Sequence, residues 1–186
     1  MFLVIGRKDG KRVVVLGHEL GGAYKGQYNM FGGRHDKRRK RLDTAMAEFC
    51  EEFGASVKGA GTQCDTPAKN AILKSKKIIA GLKPVPQGIA KTTIIILWDV
   101  GSNVPKRTIW NSNNAKARQN TNIPRSYKEM DKIQIFDLDL LLLVAQKTPK
   151  GSASMAYPMS PDQKNAVVVS MFTIQTLKEF HLAKMI

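Results

Sequence analysis

Three glutamates, Glu48, Glu51 and Glu52, stand three and four positions apart directly behind a basic run in the stretch GGRHDKRRKRLDTAMAEFCEEFG, residues 32–54. At about 100° per residue, a helix would gather those carboxylates into one narrow stripe. Like charges so placed cost an isolated helix about 0.2–0.5 kcal/mol per pair, so a compensating cation is expected. Hard divalent ions, magnesium or manganese, take oxygen ligands from carboxylates, water and substrate phosphates together, which suits chemistry at phosphorus. The chain carries 30 Lys+Arg against 15 Asp+Glu, so its scarce acids are concentrated here rather than spread for solubility. A solvated helix face paired with neighbouring arginines is the alternative that needs no ion.

The basic run itself, Arg34, Lys37, Arg38, Arg39, Lys40 and Arg41, is a candidate phosphate clamp, because guanidinium groups engage phosphate oxygens two at a time. A solvated loop or a nuclear-import tag would have the same composition. Trp110, in the polar segment KRTIWNSNN, is a candidate for stacking on a base, whereas Trp98 lies in an apolar run and reads as core. Cys50 has no histidine in a sensible pattern around it and reads as a packed thiol. His18, His35 and His181 are too dispersed for a zinc site.

The elements that must position these residues follow from periodicity. Phe2 to Ile5 and Val13 to Leu16 are β-branched-rich runs joined across Asp9-Gly10, a hairpin signal. YNMFGG is a short strand ending in two glycines. Leu42 to Phe53 is the clearest helix, with Asp43 as expected N-cap, Gly54 as expected C-terminal stop, and Met46, Phe49 and Phe53 on one side. AILKSKKIIAGLK fits a short helix or a strand, and Thr92 to Val100 is a buried strand. Gly101 to Arg125 is polar and Asn-rich and is expected to be a long loop. Lys132 to Phe136 is a strand, Asp137 to Ala145 a helix, KTPKGSASMAYPMSPDQKN a linker, and about Phe172 to Lys184 a final helix with Ile174, Leu177 and His181 on one side.

A length of 186 residues with 42% hydrophobic content supports one core and one domain. A formal net charge of +15 costs self-repulsion and points to a polyanionic partner, nucleic acid or a phosphorylated ligand, with an anionic membrane surface second. Two cysteines, Cys50 and Cys64, form no disulfide framework and fit a reducing, intracellular compartment. The apolar N-terminal stretch is too short for a secretory signal, and no segment reaches the roughly 20 residues of a membrane helix. The expected location is cytoplasmic, or nuclear if the basic run is an import tag.

From Gly33 to Ala55 the chain resembles the box of the Nudix hydrolases, which runs Gly, five residues, Glu, seven residues, Arg-Glu, an aliphatic or similar residue, any residue, Glu-Glu, any residue, Gly, aliphatic. Glu48, Phe49, Glu51, Glu52 and Gly54 are in register with it; Arg39 stands where the family has its first glutamate and Ala47 where it has arginine. The resemblance covers about Phe2 to Val144. It implies a Nudix fold, an α/β/α sandwich around a mixed β-sheet, with residues 1–146 as the Nudix-like domain and 147–186 as a linker and C-terminal helix packing on it. It further implies Mg2+ or Mn2+ held by Glu48, Glu51 and Glu52, with the Gly33 carbonyl completing the shell. The implied reaction is attack of water on a diphosphate linkage, with Glu48 or a later acid, Glu129 before Asp131, taking the proton. The charge favours the 5' end of RNA as substrate, diphosphoinositol phosphates being also compatible. The other function class is a catalytically weakened Nudix-fold protein that binds nucleic acid or serves as a structural component of a larger assembly, a reading that Arg39 and Ala47 favour.

Overall fold

Asp9 and Gly10 both take positive φ, 50° and 74°, and fold strand β1 (Phe2–Lys8) onto β2 (Lys11–Glu19) as the tight hairpin that a D-G pair encodes. In the computed structural model the residues described are 1–33, 38, 40–54, 76–82, 93–121, 129–159, 164–182 and 186. Strand β5 (Thr93–Asp99) pairs parallel to β1 on its far side, and β4 (Lys76–Leu82) pairs antiparallel to β5, which resolves the ambiguous IIAGL segment as strand. The opposite edge of β2 receives β6 (Met130–Asp137) antiparallel. The end of β2 also pairs with β3 (Tyr28–Asn29), which leads to β8 (Val167–Val169) and the edge strand β7 (Ser154–Ala156). The sheet is therefore mixed.

Strand alternation assigns the two faces. Leu3, Val14, Leu16, Ile95, Leu97 and Phe136 point to one side, where they meet helices α3 (Leu138–Lys147) and α4 (Met171–Leu182). Phe2, Val4, Val13, Val15, Ile96, Ile133 and Ile135 point to the other, under helices α1 (Arg41–Phe49) and α2 (Arg107–Gln119). Two helical layers thus enclose a mixed sheet, the α/β/α architecture expected. Among the described residues no helix is long and apolar enough to cross a membrane.

Five local expectations are corrected. The Asn-rich segment after Gly101 is not a long loop: residues 107–119 form α2, and its asparagines bond the free edge of β6. Asn111 Oδ1 accepts from the Ile133 N–H at 2.8 Å and Asn114 Nδ2 donates to the Met130 carbonyl at 2.7 Å, so side-chain amides stand in for a missing strand. The linker-like segment contains β7 and β8. Asp137 is not inside its helix but caps it, accepting from the Asp139 and Leu140 N–H groups at 3.1 and 3.2 Å. In α4 it is Phe180, not His181, that joins Ile174 and Leu177 in the core; His181 is exposed. Cys50, read as a free packed thiol, is buried but disulfide-bonded; Cys64 lies outside the described residues.

Asn114→Ala should cost about 1–3 kcal/mol, because it strands a buried carbonyl. Thermal unfolding should show a midpoint several degrees lower, and an unchanged midpoint would mean that the β6 edge does not depend on α2.

Candidate functional site

Helix α1 starts after Lys40, with Asp43 in its first turn; no side chain caps it, so the expected Asp43 cap is not made. Met46, Phe49 and Phe53 are buried as their spacing requires. Phe49 stacks on Phe2 with centroids 4.3 Å apart and on Phe53 at 4.9 Å, and Phe31 and Trp98 close on them edge-to-face. At Cys50 the helix widens into a π turn, Cys50–Gly54. A π turn spaces its hydrogen bonds one residue further apart, so the residues that follow do not keep the α-helical stripe. Glu48 and Glu51 are half-buried, while Glu52 is turned inward and only 5% exposed.

Glu52 Oε2 accepts the N–H of Gly32, which takes φ 121° against Met1. Burial pushes the Glu52 carboxyl well above the usual carboxylate range; the charges of Glu19, Glu48 and Glu129 push the same way, and the Gly32 hydrogen bond opposes them. Glu19, at the end of β2, is also raised, first by burial and then by Glu129, with an Asn29 hydrogen bond opposing. Burial lowers the Met1 amino group to about 6, against the pull of Glu52 and Glu48. The Glu48 carboxylate lies over Gly33: a Cβ added there would fall on Glu48 Oε2 and come within 2.7 Å of its Cδ. A side chain at position 33 would fill the space that the carboxylate uses.

The donor chemistry fits a hard divalent ion, since Glu48 and Glu52 offer only oxygen and Glu52 is repelled by Glu48, Glu19 and Glu129. Among the described residues, no three His, Cys, Asp or Glu side chains stand close enough together to hold an ion unaided. Magnesium commonly keeps several waters and binds through one or two carboxylates plus substrate phosphates, a demand that Glu48 and Glu52 can meet.

The sequence-derived candidates separate here. Glu48 and Glu129 each come within electrostatic reach of Glu52, whereas Glu51 is not among the charges acting on it. Asp131, the second choice for a late acid, is engaged by His18 Nδ1 at 2.7 Å. Arg38 and Lys40 are exposed beside α1; Arg34, Lys37 and Arg39 lie outside the described residues, as does the Arg41 side chain. Trp110 is corrected: it is 2% exposed and packs 6.2 Å from Phe53, and a buried indole cannot stack on a base. Sequence reasoning missed Glu19 and Asn29. The one available signal was an acid placed in the glycine-rich stretch GHELGG of a chain short of acids.

No protein-family profile matches this sequence, and no curated protein does. Among solved structures, the chain is similar to the Nudix domain of NrtR from Shewanella oneidensis, determined in complex with ADP-ribose, at 8% identity and TM-score 0.46, covering 98% of this chain and 84% of that one. A MutT/Nudix family protein from Listeria innocua is similar at 13% identity and TM-score 0.46, over 99% and 89% of the two chains. Another from Enterococcus faecalis is similar at 10% identity and TM-score 0.49, over 98% and 60%. Chemistry has to be argued from this chain's own side chains.

Proposed function

We propose that this chain is a Nudix-type pyrophosphohydrolase that uses Mg2+ or Mn2+ to cleave a diphosphate linkage at the 5' end of RNA. The observation that carries the reading is the placement of Glu52, buried in a molecule of net charge +15 with the carboxylates of Glu19, Glu48 and Glu129 acting on it. Without a ligand to use it, such a cluster only destabilises the fold. Glu48 and Glu52 would hold the cation, with the Gly33 carbonyl beside Glu48 and Glu51 reaching it through water. When bound, the cation supplies an activated water and neutralises charge on the phosphoryl oxygens. Glu129, exposed at the rim and electrostatically coupled to Glu52, takes the proton from the attacking water. Arg34, Lys37, Arg38, Arg39, Lys40 and Arg41 would grip phosphates along the strand, adding affinity that a free nucleotide cannot supply. Residues 1–146 form the domain that carries this site, with 147–186 completing it.

Incubation with capped RNA and Mn2+ should release a capped nucleotide, and Glu52→Gln should slow that release by more than about 100-fold. A second reading, a weakened Nudix-fold protein that binds nucleic acid within a larger assembly, is favoured by Arg39 and Ala47 at the two departed box positions. Tight, steeply salt-dependent RNA binding without turnover, indifferent to Glu52→Gln, would establish it instead.

A further inference from the structure

We infer that the outward side of helix α2 is a binding track for the backbone of single-stranded RNA, with Lys106, Lys116 and Arg118 as its cations. The inference rests on RNA as the ligand proposed above, and not on the divalent cation. Between Asp99 and Glu129 the sequence holds six Lys or Arg and no acid. The fold turns part of that run into α2, with Lys106 as the residue before its first turn and Lys116 and Arg118 in its last. All three are exposed. Lys106 and Lys116 stand about 15 Å apart along the helix axis. Lys116 and Arg118 complement the backbone dipole at their end, but Lys106 and Arg107 oppose it at theirs, with no acid in the first turn and no side-chain cap. Folding alone gives no reason for a helix with cations at both ends.

The helix lies beside the carboxylates. Its Trp110 packs 6.2 Å from Phe53, the residue after Glu52, and its Asn114 Nδ2 donates to the carbonyl of Met130, the residue after Glu129, at 2.7 Å. The end that carries Lys116 and Arg118 is thus the one next to Glu129, and Lys106 leads away from it. Between the two ends Ile109, Ser112 and Lys116, at i, i+3 and i+7, form one exposed line. Hydroxyl side chains bond phosphate and sugar oxygens alongside cations, and Ile109, 54% exposed, offers the apolar surface that a sugar or an unstacked base can cover. A duplex keeps its base faces stacked inside, and a membrane surface needs more than one apolar residue on the outward side. A single strand uses cation, hydroxyl and Ile109 together.

Fluorescence anisotropy with a labelled single-stranded RNA, in EDTA so that no divalent cation takes part, tests this. The triple variant Lys106→Gln, Lys116→Gln, Arg118→Gln should bind at least about tenfold more weakly at low salt, and its log–log salt slope should be shallower by about 2, from three phosphates at ~0.7 each. A second triple variant, Lys8→Gln, Lys147→Gln, Lys150→Gln, loses the same charge from exposed positions off α2 and should leave the slope nearly unchanged. Ile109→Ser should weaken binding without altering the slope. Equal losses in the two triple variants would mean that net charge alone matters and would overturn the inference. So would a duplex RNA bound as tightly as the single strand, or vesicles containing phosphatidylserine bound through the same three residues in place of RNA. Wild-type protein that binds no RNA would end the RNA reading as well; tight RNA binding that ignores the α2 substitutions would overturn this inference alone.

Discussion

Glu52→Gln should make the cation-free protein more stable at about pH 8 while abolishing its response to Mn2+. The Glu52 carboxyl has its folded pKa raised, first by burial and then by Glu19, with Glu48 and Glu129 adding to it. A raised folded pKa means that the native state holds its proton after the unfolded chain has released it. The resulting stability is complete below the unfolded value of 4.5 and is lost as pH rises through the folded value. Each pKa unit so traversed is worth about 1.4 kcal/mol. Glutamine keeps an oxygen to accept the Gly32 N–H and carries no charge at any pH, so that loss should disappear. In a chain of this size a gain of 1 kcal/mol raises the midpoint by about 2–4 °C. Mn2+ should stabilise the wild type and leave Glu52→Gln unmoved. A variant less stable than wild type at about pH 8, or one still stabilised by Mn2+, would contradict this account.

Gly33→Ala should do the reverse, costing little stability and much function. The new methyl would fall where Glu48 Oε2 lies, and the obstructed group is the far end of a side chain rather than backbone. Glu48 can swing aside at small cost to folding, but it cannot then serve the position it left. Misplacing a ligating or catalytic group by about 1 Å costs on the order of 100-fold in rate. Mn2+ affinity and turnover should therefore fall together while the unfolding midpoint moves by no more than about 2 °C. Equal loss of stability and function would show that position 33 matters for packing instead.

Much of the fold was legible because local chemistry and tertiary structure agree. Asp9-Gly10 encodes its turn, the Ile95–Trp98 run its strand, and Met46, Phe49 and Phe53 the buried side of α1. Helix α2 was not legible: asparagine is a poor helix former, and Asn111 and Asn114 are satisfied only by the distant edge of β6. Strands β7 and β8 are three residues each and draw their definition from pairing with each other and with β3. Within the site, the Glu48 and Glu52 pair could be read from spacing, but the π turn that buries Glu52 has no compositional mark. Glu19 and Asn29 enter through the β2–β3 pairing and through Ser170 and Thr173, contacts that no local pattern announces.

The central claim is that Glu48 and Glu52 share a divalent cation, and anomalous diffraction from a crystal soaked in Mn2+ tests it most directly. The account predicts a manganese peak within about 2.0–2.6 Å of a carboxylate oxygen from each of the two residues. Density for a lysine or arginine side chain between them, or no peak at a saturating soak, would contradict it.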